Sequence, residues 1–389
     1  MARPKVILAG SVIFGAITFG LGYAGMKEGL SGSLLARWCG FGRVGSILTG
    51  LIVAISLLGW FGVQNAIFAR SLNFALGGGP GFALSATLSG LLLTLLVAFG
   101  FKALRFTARI AVPLFVGLVA LIAWQTLSGG QPVPPLLDVA DGATALTISA
   151  AITLVVGGAI VASLMTPDLT RYSRSTKHVA GTVLLTIVAG EFVINGLAIV
   201  IAHRLQSADV VTIMSQAAGG IGLLLVVFST LRINDLNLYS SALGVINAVE
   251  GLCGKKLRYR STTLVIGLLG TLLSVLGILD RFVDFLTLLG VVFPPILGIM
   301  LLDYFVLRSQ RTVLENSRLQ GTLPSVAETP TCGWPAIAAT LAGSAVGLLC
   351  EWGVPTLNAL VSACLLYGLQ KQLQNRVRPA AFTGHQRNP

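Results

Sequence analysis

Apolar runs of roughly 18 residues or more recur along almost the whole chain, and a water-soluble surface has no way to accommodate them. A helix of that length crosses the hydrocarbon core of a bilayer, where every backbone N–H and C=O must be satisfied within its own segment. Eleven such runs can be read: 6–25, 44–68, 83–101, 106–127, 144–165, 179–202, 215–249, 261–279, 282–307, 334–352 and 354–370. With 54% hydrophobic residues, 10% charged residues and a mean hydropathy of +0.87, no stretch is polar enough to surface a separate soluble domain. The expected class is all-α integral membrane, with about 11 transmembrane helices. The expected layout is a helical core over 1–308, a cytoplasmic loop over 309–332, two C-terminal helices over 333–372 and a cytoplasmic tail over 373–389.

A net charge of +12 could suggest a nucleic-acid partner, but its distribution argues for a membrane instead. Taken loop by loop, the basic residues alternate between sides. One set of loops carries 20 of the 26, from Lys27, Arg37 and Arg43 through Lys255, Lys256, Arg258 and Arg260 to Lys371 and Arg376. The other set carries 5: Arg3, Lys5, Arg70, Arg204 and Arg281. Lys- and Arg-rich loops stay on the cytoplasmic side, so the C-terminus is expected there. The lipid bilayer is the partner this charge pattern implies, and nucleic acid is not.

Arg3 and Lys5 break the pattern. The run at 6–25 is too long and glycine-rich for a signal peptide. The expectation is that a helix upstream of this run is missing from the chain.

Several motifs are weaker than they look. "GFGRVG" at Gly40–Gly45 fits a dinucleotide fingerprint in letters only, because that fingerprint needs a preceding strand in a βαβ unit. "GGGPG" at Gly77–Gly81 lacks the Lys and Ser/Thr of a phosphate loop and reads as an external turn. The five cysteines form no CxxC pair and no zinc spacing, so no metal or other cofactor is expected. Neither HExxH nor GxSxG is present, and an enzyme is not expected.

The chemistry-bearing groups lie inside the spans, where polar side chains are costly unless protein or a wet cavity satisfies them. In the seventh span Thr230, Asn234, Asn237 and Ser241 recur at steps of 4, 3 and 4, which is one stripe of a helix. Arg232 and Asp235 are three apart on a neighbouring face and can pair. Such a stripe is either glue between helices or the wall of a ligand pathway; four polar groups in register beside an internal Arg and Asp favour the pathway. In the second span Trp60 and Gln64 share a face. An indole stacks on a planar heterocycle and an amide offers it a donor and an acceptor, although core packing explains the pair equally well. Gly157 and Gly158 permit an unwound, ligand-facing backbone in the fifth span, or simply close packing. Glu191 is another internal acid, placed to pair with Arg232 or to face a polar crevice.

Several stretches then carry a resemblance: "GLGYAGMKEGLSGSLLARWCGFG", "GWFGVQNAIFA", "TPDLTRYSRS", "INDLNLYSSALG" and "FLTLLGVVFPPILGIMLLDYF". In this order, over nearly the whole chain, they resemble the nucleobase:cation symporter-1 family in its cytosine-permease-like form. The resemblance implies a LeuT-type fold built on inverted repeats, with helices one and six broken around a central site. The first span here matches the family's second helix. Residues 1–308 then form the transport core. Trp60 matches a Trp that stacks on the base, and Gln64 a Gln that reads its edge. Gly158 to Ala162 match the unwound stretch of helix six, and Asn234 and Asp235 an Asn-Asp pair of helix eight.

The chain departs from the family where an aromatic is replaced by Ala159, where Leu57 stands in the Gln position of cytosine-type members, and at Arg232-Ile233. The last replaces a hydroxyl pair that ligates sodium, and a guanidinium cannot coordinate Na⁺. Arg232 with Asp235, Ser229 and Glu191 is therefore read as the cation site or its substitute, and proton coupling is favoured over sodium. Trp60, Gln64, Gly157, Gly158, Ala162, Asn234 and Asn237 are read as substrate-binding. The expected function is import of a nucleobase or related small N-heterocycle across a bacterial inner membrane. The alternative is a truncated, transport-incompetent remnant or a membrane ligand sensor of the same fold.

Overall fold

The computed structural model describes residues 2–100, 146–205, 209–325 and 329–377, together with Ser207 and scattered positions between 113 and 128. The run read at 106–127 and the end of the tail, from 378 onward, lie largely outside the described residues. Among the described residues every element is helical. In order they are α1 (Ala2–Glu28), α2 (Gly32–Ala36), α3 (Gly42–Ala75), α4 (Phe82–Phe99), α5 (Ile148–Thr170), α6 (Thr176–Leu185) and α7 (Asn195–Leu205). They continue as α8 (Val210–Cys253), α9 (Tyr259–Val275), α10 (Phe282–Leu301), α11 (Arg311–Gln320), α12 (Trp334–Leu349) and α13 (Pro355–Val377). Wider π-helical turns occupy Arg37–Phe41, Thr186–Ile194 and Leu302–Leu307. Seven spans among the described residues are long and apolar enough to cross a membrane, and α9 and α12 are shorter apolar helices.

The spans follow the apolar runs because a helix surrounded by lipid needs no polar face. Several boundaries differ from the reading of the sequence, α3 running on to Ala75 and α13 to Val377. The span read at 215–249 begins instead at Gly219, whose φ of +55° breaks α8 in two; a side chain there would be strained. The stretch around "GFGRVG" is not a plain loop either, since Cys39 and Gly40 form a kinked turn leading into α3.

The described chain divides into two compact units, 1–49 with 148–183 and 287–389, and 50–147 with 184–286. The first is built on α1 against α5 and α12 against α13, and contact there is made through small residues. A Cβ added to Gly10 would lie 2.6 Å from Val155, one on Gly25 2.6 Å from Pro167, and one on Gly343 2.6 Å from Ala363. Thr18 and Ser163 share a 2.7 Å hydrogen bond across α1 and α5. These are the devices membrane helices use in place of hydrophobic collapse, since lipid is as apolar as leucine.

The second unit packs α4, α9, α3 and α8 in the same way. Gly90 accommodates Thr271 and Gly267 accommodates Thr94, each with 2.2 Å between the missing Cβ and the threonine Oγ1. Asn65, fully buried on α3, ties three helices together. It donates to the Ala86 carbonyl and to Ser274, each at 3.0 Å, and accepts from Ser89 at 2.8 Å. A buried amide satisfied on both sides in this way fixes register.

Candidate functional site

The polar stripe of α8 is buried along its whole length: Thr230, Asn234, Asn237 and Ser241 are all under one-tenth exposed. Its two ends are spent on structure. Thr230 Oγ1 donates to the carbonyls of Val226 and Val227, and Ser241 Oγ donates to the Ala54 carbonyl of α3 at 2.7 Å. Its centre is not. Both Oδ1 and Nδ2 of Asn234 are buried without a hydrogen-bond partner among the described residues, although the residue is 0% exposed. Leaving such a group unpaired costs about 1–3 kcal/mol. The stripe therefore divides: Ser241 joins α8 to α3, Thr230 bonds back onto its own helix, and Asn234 keeps an open amide.

Trp60 and Gln64 lie on the helix packed against this stripe. Ser241 meets Ala54, while a Cβ on Gly244 would touch Ala54 and approach the Gly50 carbonyl. Later residues of α8 thus meet earlier residues of α3, so the two run antiparallel. Counting from the Ser241–Ala54 bond at about 1.5 Å per residue, Trp60 is about 9 Å and Gln64 about 15 Å along α3, while Asn237 and Asn234 are about 6 and 10 Å along α8. Trp60 and Asn234 thus lie at about the same height along the helix pair, with Asn237 and Gln64 on either side of it. The indole is braced edge-on by Phe282 and Phe285, with centroids 5.8 and 5.5 Å away and ring planes near 77° and 76°. Gly59 lets Phe285 approach, a Cβ there falling 2.5 Å from its ring. Edge contacts hold the ring's orientation without stacking on it.

Arg232 pairs with Asp235 at 3.2 Å, both about one-third exposed. Of the two partners the sequence offered, the structure selects Asp235. Glu191 instead accepts from Asn195 Nδ2 at 2.9 Å, within and just after the π-helical stretch Thr186–Ile194. Ser229 lies one turn before Arg232 and is half-buried.

The remaining candidates belong to the other unit. The expected unwinding at Gly158–Ala162 is not observed: α5 is helical at every residue from Ile148 to Thr170. Close packing is the physical reason at Gly157, which is buried where a Cβ on Gly290 would come 3.4 Å from its Cα. Gly158 and Ala162, one turn apart, are exposed. The glycines of "GFGRVG" are likewise occupied by packing. The Arg43 and Val44 amides, which a phosphate would need, donate to the Pro330 and Thr331 carbonyls at 2.9 Å each.

Sequence reasoning missed Asn65, hidden beside the more conspicuous Gln64, and the π-helical stretch bearing Glu191. Wide turns of that kind recur at functional sites, but hydropathy carries no signal for them.

Bilayer-length helices packed through glycine, with one buried unpaired amide at Asn234, are arranged in a fold of the LeuT type. The architecture matches that of a structure titled "Inward facing conformation of Mhp1", with a TM-score of 0.74 at 19% identity over 96% of this chain and 85% of that one. A closed form of Mhp1, a nucleobase-cation-symport-1 family transporter with bromovinylhydantoin bound, matches with a TM-score of 0.70 at 21% identity, covering 96% and 86% of the two chains. The cytosine permease of Escherichia coli (strain K12) is 32% identical over 382 residues, 97% of this chain and 85% of the relative. The chain belongs to the family described as permease for cytosine/purines, uracil, thiamine, allantoin, whose model matches residues 5–369. It is a multi-pass membrane permease, not an enzyme.

Proposed function

We propose that this chain imports cytosine or a closely related small N-heterocycle by alternating access. The observation that carries the reading is the unpaired, fully buried amide of Asn234 at about the height of Trp60. A planar base has a face for the indole and an edge of donors and acceptors for amides, which are the two things these residues offer. Trp60 stacks, while Gln64, Asn234 and Asn237 hydrogen-bond. Asn234 is sealed from water, so a ligand reaches it only as helix packing opens, and rocking of one helix group against another supplies that opening. Backbone groups of α5 take no part, because that helix is continuous.

Coupling is proposed to be to protons rather than sodium. Arg232 supplies a fixed positive charge, held by Asp235, in place of a bound cation. Ser229 and Glu191 complete that polar neighbourhood in the proposal. The test is uptake of labelled cytosine by cells lacking their own carrier, with sodium present or replaced by choline. Saturable uptake that persists in choline and collapses with a protonophore is the expected result. Sodium-dependent uptake would overturn the coupling and leave the substrate standing. Uptake of a hydantoin but not of cytosine would overturn the substrate. Arg232→Ser is expected to change the cation dependence, and an unaltered profile would remove Arg232 from the mechanism.

The 20-to-5 division of basic residues supports an orientation with the C-terminus in the cytoplasm, and the likeness to bacterial permeases supports an inner-membrane location. A C-terminal reporter that matures only in the cytoplasm is expected to be active; a periplasm-specific reporter active at the same position would reverse the topology.

A further inference from the structure

We propose that the second unit carries a binding site for an anionic phospholipid, with an acyl chain in a groove between α3, α8 and α9 and the headgroup on the basic turn that closes its end. The groove is open, about 450 Å³ and almost wholly apolar. Its walls are Ile55, Val245, Val265 and Leu269, and its end is formed by Leu257 and Ser261. Ile55 and Val265 are 59% and 57% exposed, so the groove is not sealed by the protein itself. An apolar trough open along its length suits a hydrocarbon chain better than it suits a polar solute.

The end of the groove makes it selective. Leu257 and Ser261, which line it, alternate with cations in the sequence "GKKLRYRS". Lys255, Lys256, Arg258 and Arg260 are all exposed, and among the described residues none has a carboxylate within ion-pair distance. Arg260 lies 5.5 Å over the Phe99 ring at the end of α4, so the ends of α4 and α8 and the start of α9 come together on one side. Tyr239 and Tyr259 pair nearby, their centroids 5.7 Å apart. Amphipathic rings beside unpaired cations are the composition of a membrane's headgroup level. Four positive charges with no counter-ion among the described residues, at the mouth of an apolar trough, are complementary to a phosphate attached to an acyl chain. Basic pockets between helices recruit anionic headgroups by this combination, at roughly fivefold in affinity per Lys or Arg. The proposal is independent of the substrate reading.

Native mass spectrometry of the purified full chain tests it, with phosphatidylglycerol and phosphatidylcholine of the same acyl chains as probes. The expected result is retained phosphatidylglycerol at a preference of tenfold or more. The triple variant Lys255→Gln, Lys256→Gln, Arg258→Gln is expected to lose that preference at low salt and keep residual binding of both lipids. Ile55→Trp, at an exposed position, is expected to reduce binding of both by filling the groove. Equal retention of the two lipids by the unmodified chain would overturn the proposal, as would a preference that survives neutralisation. A groove that proves to be covered by a second copy of the chain, seen as a dimer that Ile55→Trp dissociates, would also overturn it.

Discussion

Asn234→Leu is expected to raise thermal stability while reducing cytosine uptake by about 10- to 100-fold, the size of one to two lost hydrogen bonds in a dry site. The sign of the stability change makes the result informative. A buried asparagine that served as glue would be hydrogen-bonded, and removing it would destabilise the protein by about 1–3 kcal/mol. Asn234 has neither of its amide atoms paired and no exposure, so it contributes a desolvation penalty with no bond in return. Leucine has the same branched skeleton, with bulkier methyl groups and no such penalty, and a gain of up to about 1 kcal/mol follows. Ser241→Ala, two turns along the same stripe, is the contrast, because its hydroxyl is committed to the Ala54 carbonyl and its loss should destabilise. Melting temperature in detergent, measured alongside initial uptake rates normalised to folded protein, checks both. A destabilised Asn234→Leu with normal uptake would return the residue to a structural role and remove the main support for the site.

Most of the spans and the buried stripe of α8 were legible in the sequence, because each is set by local periodicity. A run of apolar residues has to cross the bilayer wherever it occurs, and residues three or four apart have to share a face. What remained hidden depends on partners distant in sequence. Nothing in the residues around Asn65 announces that Ser89 and Ser274 will satisfy it, 24 and 209 positions away. Within the stripe, the difference between Asn234 and Ser241 is likewise decided by the facing helix: α3 offers a carbonyl to one and nothing to the other. The choice of Asp235 over Glu191 as the partner of Arg232 was one the sequence could only frame. At Gly157 the sequence left two readings open, and the close approach of Gly290 decided between them; Gly158 is exposed on a helix that stays continuous.

Gly32→Ala is expected to be the most damaging single-methyl change among those considered for the first unit, and Gly50→Ala its harmless counterpart. A Cβ on Gly32 would lie 1.9 Å from the Leu164 carbonyl oxygen, far inside van der Waals contact. That oxygen belongs to the α5 backbone and cannot rotate away as a side-chain tip can. The Gly32 amide also donates to Asp168 Oδ2 at 3.2 Å, so relief of the clash by retreat of α2 would break this bond as well. Overpacking typically costs about 1–3 kcal/mol, and a rigid obstacle belongs at the upper end of that range. At Gly50, inside α3, an added Cβ would meet nothing within 4 Å. There the substitution replaces a poor helix former by the best one, a gain of up to about 1 kcal/mol. The two variants make the same chemical change to a helical glycine, and only close approach distinguishes them. Thermal unfolding of both in the same detergent is expected to move the melting temperature down for Gly32→Ala and to leave it level or higher for Gly50→Ala. Equal melting temperatures would mean that α2 does not rest on the α5 backbone as closely as the structure has it. The contact between them would then be one that lipid, rather than glycine, makes possible.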